Sequence, residues 1–270
     1  MLRAVRRRAI DLATGSAALR RVAGPAYDAV VAVELGAVRA LDRCSRRAPA
    51  APDVTVLVKT FERPYACARL LASIRRHLPG LDVVVVDDSR QPRRWSGART
   101  VVLPYDVGAS AGRNEGLKHI ATEFFLLLDD DEIVYGGTRL ARALAFMRAR
   151  PDVDIYGGQV LLLPLFERTV TAVDRDCFGG PPRTIGGLPV YDRPAQFYLA
   201  RTRSVAAVGW EPRLKTAEHT EFFWRARGRL TAVYDERFRV LHAKTPFDVE
   251  YMDKRTDVAK YLELLQDLMQ

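Results

Sequence analysis

Phe124-Phe125-Leu126-Leu127-Leu128-Asp129-Asp130-Asp131 sets five apolar residues directly against three carboxylates. An unbroken apolar run of this length, bounded by polar residues, has the pattern of a strand buried on both faces. Three acidic side chains at its end repel one another unless a cation lies between them. Oxygen ligands of this kind suit Mg2+ or Mn2+. Taken in isolation, the triplet would read as an acidic turn capping the next helix. Its surroundings argue for the cation.

Upstream, residues 54–58 form a β-branched run ending in Lys59-Thr60, and residues 65–77 place Leu70, Leu71 and Ile74 on one helical face. Pro79-Gly80 stops that helix, and four valines at 83–86 lead into Asp87-Asp88-Ser89. This is a βαβ unit. Residues 100–103 predict a third strand, 111–120 a helix, and 138–148 a helix after the triplet, with Leu140, Leu144 and Met147 at helical spacing. Alternating strands and helices predict an α/β fold, a mostly parallel, Rossmann-like sheet with helices on both faces. Ligands of such sheets bind beyond the carboxyl ends of the strands. Thr60, Asp88 and the aspartate triplet all stand at that edge. Lys59-Thr60-Phe61-Glu62-Arg63-Pro64 contains no glycine, which argues against a dinucleotide-dependent dehydrogenase or a nucleotidyltransferase.

The chain has 270 residues, 48% of them hydrophobic, enough for one α/β domain with extensions. Its formal charge is +9, and residues 1–50 hold ten Arg against four acids, which places +6 there. That segment predicts a basic helical extension of two surface helices separated at Gly24-Pro25, followed by a linker at 46–52. The main domain is expected over 51–250 and a C-terminal helix over 251–270. Arg3, Arg6, Arg7 and Arg8 are candidates for contact with anionic lipid at the inner face of a membrane. The charge excess comes without a reading motif for nucleic acid. Cys44, Cys67 and Cys177 are odd in number and widely spaced, which fits a reducing compartment. No apolar run approaches a membrane span or a signal peptide, so a cytoplasmic location is expected. Residues 166–191 form a long irregular loop, expected to be a lid shaping a second substrate site.

Several of these segments together resemble a known family. Lys59-Thr60-Phe61-Glu62-Arg63-Pro64, Ser73-Ile74-Arg75-Arg76, Asp87-Asp88-Ser89, Leu103-Pro104-Tyr105, Ser110-Ala111-Gly112-Arg113-Asn114 and Leu128-Asp129-Asp130-Asp131 look like the catalytic domain of β-1,4-N-acetylgalactosaminyltransferases of the GM2 synthase type. They also fit the wider family 2 glycosyltransferases. The likeness continues through Gly157-Gly158, Phe197-Tyr198-Leu199-Ala200-Arg201-Thr202, Val208-Gly209-Trp210-Glu211-Pro212-Arg213-Leu214 and His219-Thr220-Glu221-Phe222-Phe223, in order over about residues 53–245.

The resemblance implies a GT-A fold, a UDP-sugar donor, a Mn2+ or Mg2+ cofactor and a carbohydrate or glycolipid acceptor, with N-acetylgalactosamine the leading donor sugar. It implies Asp88 as acceptor of the uracil N–H, with Thr60 and Glu62 beside the nucleoside. Arg113 would reach the pyrophosphate or the base, for which its planar fork is suited. Asp131 would bind the metal, with Asp129 and Asp130 toward the ribose and its water, and His242 would be a further metal ligand. Lys244 is placed near phosphate. Relatives carry an acidic base as Glu-Asp at a helix mouth, whereas here the aspartate position falls on His219. That departure leaves His219 and Glu221 as candidate bases, with Glu218 behind them; an imidazole near its ordinary pKa suits proton abstraction. Trp210 and Trp224 read as core residues, or as platforms for a sugar. The expected reaction is inverting displacement; the competing class is a UDP- or carbohydrate-binding module without turnover.

Overall fold

The computed structural model describes residues 10, 14–42, 51–169, 183–194, 196–248, 251–252 and 258–269. In chain order the elements are α1 (Ala17–Leu41), β1 (Val54–Thr60), α2 (Pro64–His77), β2 (Asp82–Asp87), β3 (Arg99–Val102), α3 (Ala109–Leu117), β4 (Phe124–Asp129), β5 (Glu132–Ile133), α4 (Leu140–Ala149), β6 (Ile155–Leu162), β7 (Glu167–Arg168), β8 (Thr184–Ile185), β9 (Leu188–Pro189), β10 (Tyr198–Arg201), α5 (Thr202–Val208), α6 (Glu218–Ala226), β11 (Ala232–His242) and α7 (Val258–Leu268).

Strand alternation sorts the central residues into two layers. Val54, Val56 and Val58 of β1, with Phe124, Leu126 and Leu128 of β4, face one way and pack with Leu70, Leu71 and Ile74 of α2 and Leu144 and Met147 of α4. Leu57, Phe125 and Leu127 face the other way, toward Leu117 of α3, Val205 of α5 and Phe222 and Phe223 of α6. The strand side chains 124–128 are all fully buried, which explains why their sequence is continuously apolar instead of alternating. Each contributes about 1.5–3 kcal/mol by burial.

The sheet runs β3-β2-β1-β4-β10-β6-β11-β5, with β7 on β6. From β3 to β4 all pairings are parallel, with Thr60 opposite Asp87 and Lys59 opposite Asp129. The second half is mixed. β10 enters antiparallel between β4 and β6, β6 and β11 are parallel, and β5 returns antiparallel on β11. Residues 184–189 contribute a small β8–β9 hairpin to the loop expected to be a lid. Residues 170–182 of that loop, the 46–50 part of the linker, Arg3, Arg6, Arg7, Arg8, Cys44 and Cys177 lie outside the described residues.

The break expected at Gly24-Pro25 is absent, since α1 runs from Ala17 through Pro25; residues 1–9 and 11–13 of the first expected helix lie outside the described residues. A proline inside a helix removes a hydrogen bond and crowds the preceding turn, and tertiary contacts offset that loss. Val31 and Leu35 are buried against Leu161, Leu163 and Leu241. The Tyr27 hydroxyl donates to the Leu163 carbonyl at 2.9 Å, and Phe247 packs on Tyr27. Among the described residues no helix is long and apolar enough to cross a membrane.

Candidate active site

The carboxyl ends of β1, β2 and β4 open on a cavity of about 490 Å3. Thr60, Asp88, Arg113, Asp129, Asp130, Asp131 and His242 all line it. Two clusters of charge stand at its ends.

At the first, Asp88 is fully buried. Its Oδ2 accepts from the Gly108 amide at 2.9 Å, and its Oδ1 pairs with the Lys59 ammonium. Lys59 lies across α3, where a Cβ on Gly112 would fall 2.4 Å from its Cε. A side chain at Gly112 would displace the Lys59 chain from that position, and Gly108 needs its φ of 93° to aim the amide at Asp88. Burial pushes the Lys59 pKa down, opposed by Asp88.

At the second, the chain turns at Asp130-Asp131, within the triplet, so that β5 pairs back on β11 with His242 opposite Glu132. The Ala243 amide donates to the Asp131 carbonyl at 3.0 Å. His242 Nε2 thereby comes 3.0 Å from Asp131 Oδ1, and its N–H donates to that carboxylate. Asp130 accepts from the Thr60 hydroxyl at 2.8 Å. The Arg63 guanidinium bridges Asp130 and Asp131, reaching the latter at 2.6 Å. Burial raises the Asp130 pKa to about 6, against the pull of Arg63 and with the repulsion of Asp131. Asp131 goes the other way: burial opposes ionisation, but His242 and Arg63 outweigh it and hold the carboxyl well below its usual range. Glu132, buried beside Asp129, is pushed well up.

Arg113 joins this end to α6. It is buried, donates to Asp129 at 2.8 Å and pairs with Glu218. Burial disfavours its charge, yet Glu218 and Asp129 more than compensate and its pKa is raised. Glu218 opens α6 directly after Ala217, whose φ of 62° is a strained setting for a residue with a side chain. That turn aims Glu218 into the cavity lining.

The other candidate bases do not join the cavity lining. His219 points away from it, its Nε2 2.8 Å from the Pro194 carbonyl and its ring edge-on to Phe223. Burial pushes its pKa down to about 3, despite the Pro194 hydrogen bond. Its Nδ1, the nitrogen that would accept a proton, is buried without a partner. Glu221 is buried and bound by both oxygens to Arg225, which also caps the Val208 and Gly209 carbonyls. It fastens α6 to the loop after α5. Glu62 is likewise outside the lining: its carboxylate accepts from the Arg90 amide at 2.7 Å. Trp210 is core, stacked on Phe222, and Lys244 is exposed at the cavity rim.

Sequence reading missed Arg63 and Lys59. Both are basic residues at the carboxyl edge of β1, and position alone marks them as facing the ligand crevice.

Residues 55–161 carry a domain matching the family described as Glycosyl transferase family 2. The chain is 34% identical over 194 residues to human beta-1,4 N-acetylgalactosaminyltransferase 1, covering 66% of this chain and 36% of that protein. It is 30% identical over 187 residues to mouse beta-1,4 N-acetylgalactosaminyltransferase 2, with the same coverage. The chain thus spans little more than a third of the length of these curated relatives. Its GT-A-type fold is shared with S. aureus TarS 1-349 in complex with UDP-GlcNAc, at TM-score 0.55 and 20% identity over 71% of this chain and 58% of that one. GalNAc-T7 with UDP, GalNAc and Mn2+ superposes at TM-score 0.54 with 14% identity, covering 71% and 44%.

Proposed function

We propose that the protein is a metal-dependent, inverting glycosyltransferase that moves a sugar from a UDP-sugar to a hydroxyl of a carbohydrate or glycolipid acceptor. N-Acetylgalactosamine is the sugar favoured by the names of the relatives at 34% and 30% identity. UDP and UDP-GlcNAc in structures of the same fold support the donor class, as Mn2+ in one of them supports the ion. The observation that carries the reading is the meeting of Asp88, Asp131, His242 and Glu218 around one cavity.

A divalent ion fits the second charge cluster on its donor set. Asp129, Asp130, Asp131, Glu132 and Glu218 are five carboxylates answered by two guanidiniums, Arg63 and Arg113. A diphosphate brought to that edge adds further negative charge, which a divalent cation would balance together with Lys59, Lys215 and Lys244 of the lining. Among the described residues there is no group of three His, Cys, Asp or Glu arranged as a complete metal site, so donor oxygens would complete the shell, as is usual for Mg2+ and Mn2+. Asp131 and His242 would hold the ion, and its charge would offset that growing on the leaving diphosphate.

The chain's own groups supply the rest. Asp88, locked by Lys59 and Gly108, accepts the uracil N–H. Thr60 positions Asp130 at the ribose. Glu218 takes the proton from the acceptor hydroxyl as it attacks the anomeric carbon, and Arg113 holds Glu218 in place. A panel of UDP-sugars, each assayed for UDP release and anomeric configuration of product with and without Mn2+, tests the whole scheme. A UDP-binding module without turnover would bind UDP yet release none from any UDP-sugar, and that result would overturn the enzyme reading.

A further inference from the structure

The first residues of α6 are tied, one after another, to the segment that leads into β10. The Arg193 guanidinium donates to the Thr220 hydroxyl at 2.7 Å, His219 Nε2 donates to the Pro194 carbonyl at 2.8 Å, and the Gln196 amide nitrogen reaches Glu218 Oε1 at 3.4 Å. The partners run in opposite order along the chain, so the segment lies antiparallel to the first turn of the helix. β10 makes this possible by entering the sheet antiparallel to β4, with Tyr198 opposite Leu127. Its amino end therefore falls at the carboxyl edge of β4, and the same register brings Gln196 level with Asp129. Strand alternation puts Gln196 and Tyr198 on one face, where Tyr198 packs edge-on to Phe223 of α6. Gln196 lines the cavity together with Glu218.

The two oxygens of Glu218 are thereby unequal. Oε1 accepts from both Arg113 and Gln196, whereas Oε2 takes no hydrogen bond among the described residues. A carboxylate oxygen engaged by two donors has less capacity left for a proton than its free neighbour. The chemistry of the second donor suits this division. Another cation beside Glu218 would hold on to its negative charge, and another acid would repel it from Arg113. A neutral amide fixes direction and leaves the charge as Arg113 sets it. Tyr198, on the same face, stays protonated: burial pushes its pKa up, against Arg113 and with Glu218 and Asp129.

We infer that Gln196 positions the base, turning Glu218 Oε2 toward the acceptor hydroxyl, an assignment that rests on Glu218 as base in the reaction proposed above. As the acceptor oxygen bonds to the anomeric carbon, its proton passes to Oε2 and the electron pair of the sugar–phosphate bond leaves with UDP. His219, turned away from the cavity, has a role of another kind: through Pro194 it fastens the segment that carries Gln196.

Gln196→Met keeps the length of the side chain and removes the amide, and Gln196→Asn keeps the amide and draws it back by one methylene. Each is made alone and together with Glu218→Gln, and assayed for UDP release from the UDP-sugar of the panel that turns over fastest. Calorimetry gives UDP affinity, and circular dichroism with the unfolding midpoint checks the fold. Both single variants are expected to lower kcat about tenfold, with donor KM and UDP affinity unchanged. In the Glu218→Gln background they should cost nothing further, since a residue that acts only through Glu218 is not additive with it. A kcat equal to the parent's in both single variants overturns the positioning role. So does the same loss in the Glu218→Gln background, which would make the contact merely structural. Glu218→Gln at the parent's kcat overturns the base itself, and the assignment of Gln196 falls with it.

Discussion

The two ends of the cavity hold similar residues and do opposite things with them. At Asp88 one carboxylate meets one ammonium and one fixed amide, so the cluster is balanced without help. At the triplet, acids outnumber guanidiniums five to two, and burial drives Asp130 and Glu132 toward protonation. A balanced buried pair offers directional hydrogen bonds to a neutral ring. An unbalanced cluster is a sink for positive charge. The difference is in how each end is built: a glycine-shaped loop closes the first, while the second is assembled from strand ends that crowd their charges.

The sharpest way to break this contrast is Asp131→Ala, which is expected to reduce UDP release on the order of 10^3-fold and to remove its Mn2+ dependence. A rate unchanged by that substitution would make the acidic end a structural knot. Next comes Glu218→Gln, expected to lower kcat roughly 10^2-fold with little change in UDP affinity. His219→Phe and Glu221→Gln should leave kcat much closer to the parent, and a reversal of that order would move the base to His219 or Glu221. At the balanced end, Asp88→Asn should weaken UDP about 10- to 100-fold while leaving Mn2+ affinity intact, as expected for loss of a charged hydrogen-bond partner; calorimetry separates the two. Arg63→Met probes the unbalanced end from the other side. With the competing guanidinium gone, Mn2+ should bind the donor-free protein about tenfold more tightly, read by electron paramagnetic resonance.

The smallest effect concerns His219 and stability. Its folded pKa, about 3, lies below the ordinary 6.5, so the unfolded chain binds more protons between those values. Stability is therefore complete above about pH 6.5 and declines as pH falls, by about 2 kcal/mol at pH 5 for this group alone. Urea unfolding of His219→Phe, which keeps a ring beside Phe223, should show that much less loss between pH 7 and pH 5 than the parent.

The first half of the sheet was legible because its signals are local. Three short apolar runs, each ending in a polar residue, are enough to place Thr60, Asp88 and Asp129 on one edge, since a parallel sheet aligns its strand ends. The second half was not. β10 inserts antiparallel between β4 and β6, and four residues of Tyr-Leu-Ala-Arg carry no mark of their direction. Which candidate base lines the cavity was not legible for a related reason. Glu218, His219 and Glu221 lie within one helical turn, and only the left-handed setting of Ala217 decides which of them looks into the cavity.

By itself the sequence determined the layers of the fold, the edge on which Thr60 and Asp88 stand and the acidic triplet that dominates it, because alternation and apolar runs act over a few residues. Only the tertiary structure decided which charges meet: Arg63 across the triplet, Arg113 between Asp129 and Glu218, and His242 against Asp131 through the β5–β11 pairing. Coulombic energy depends on distance through space, and residues far apart along the chain acquire that distance only when the sheet closes.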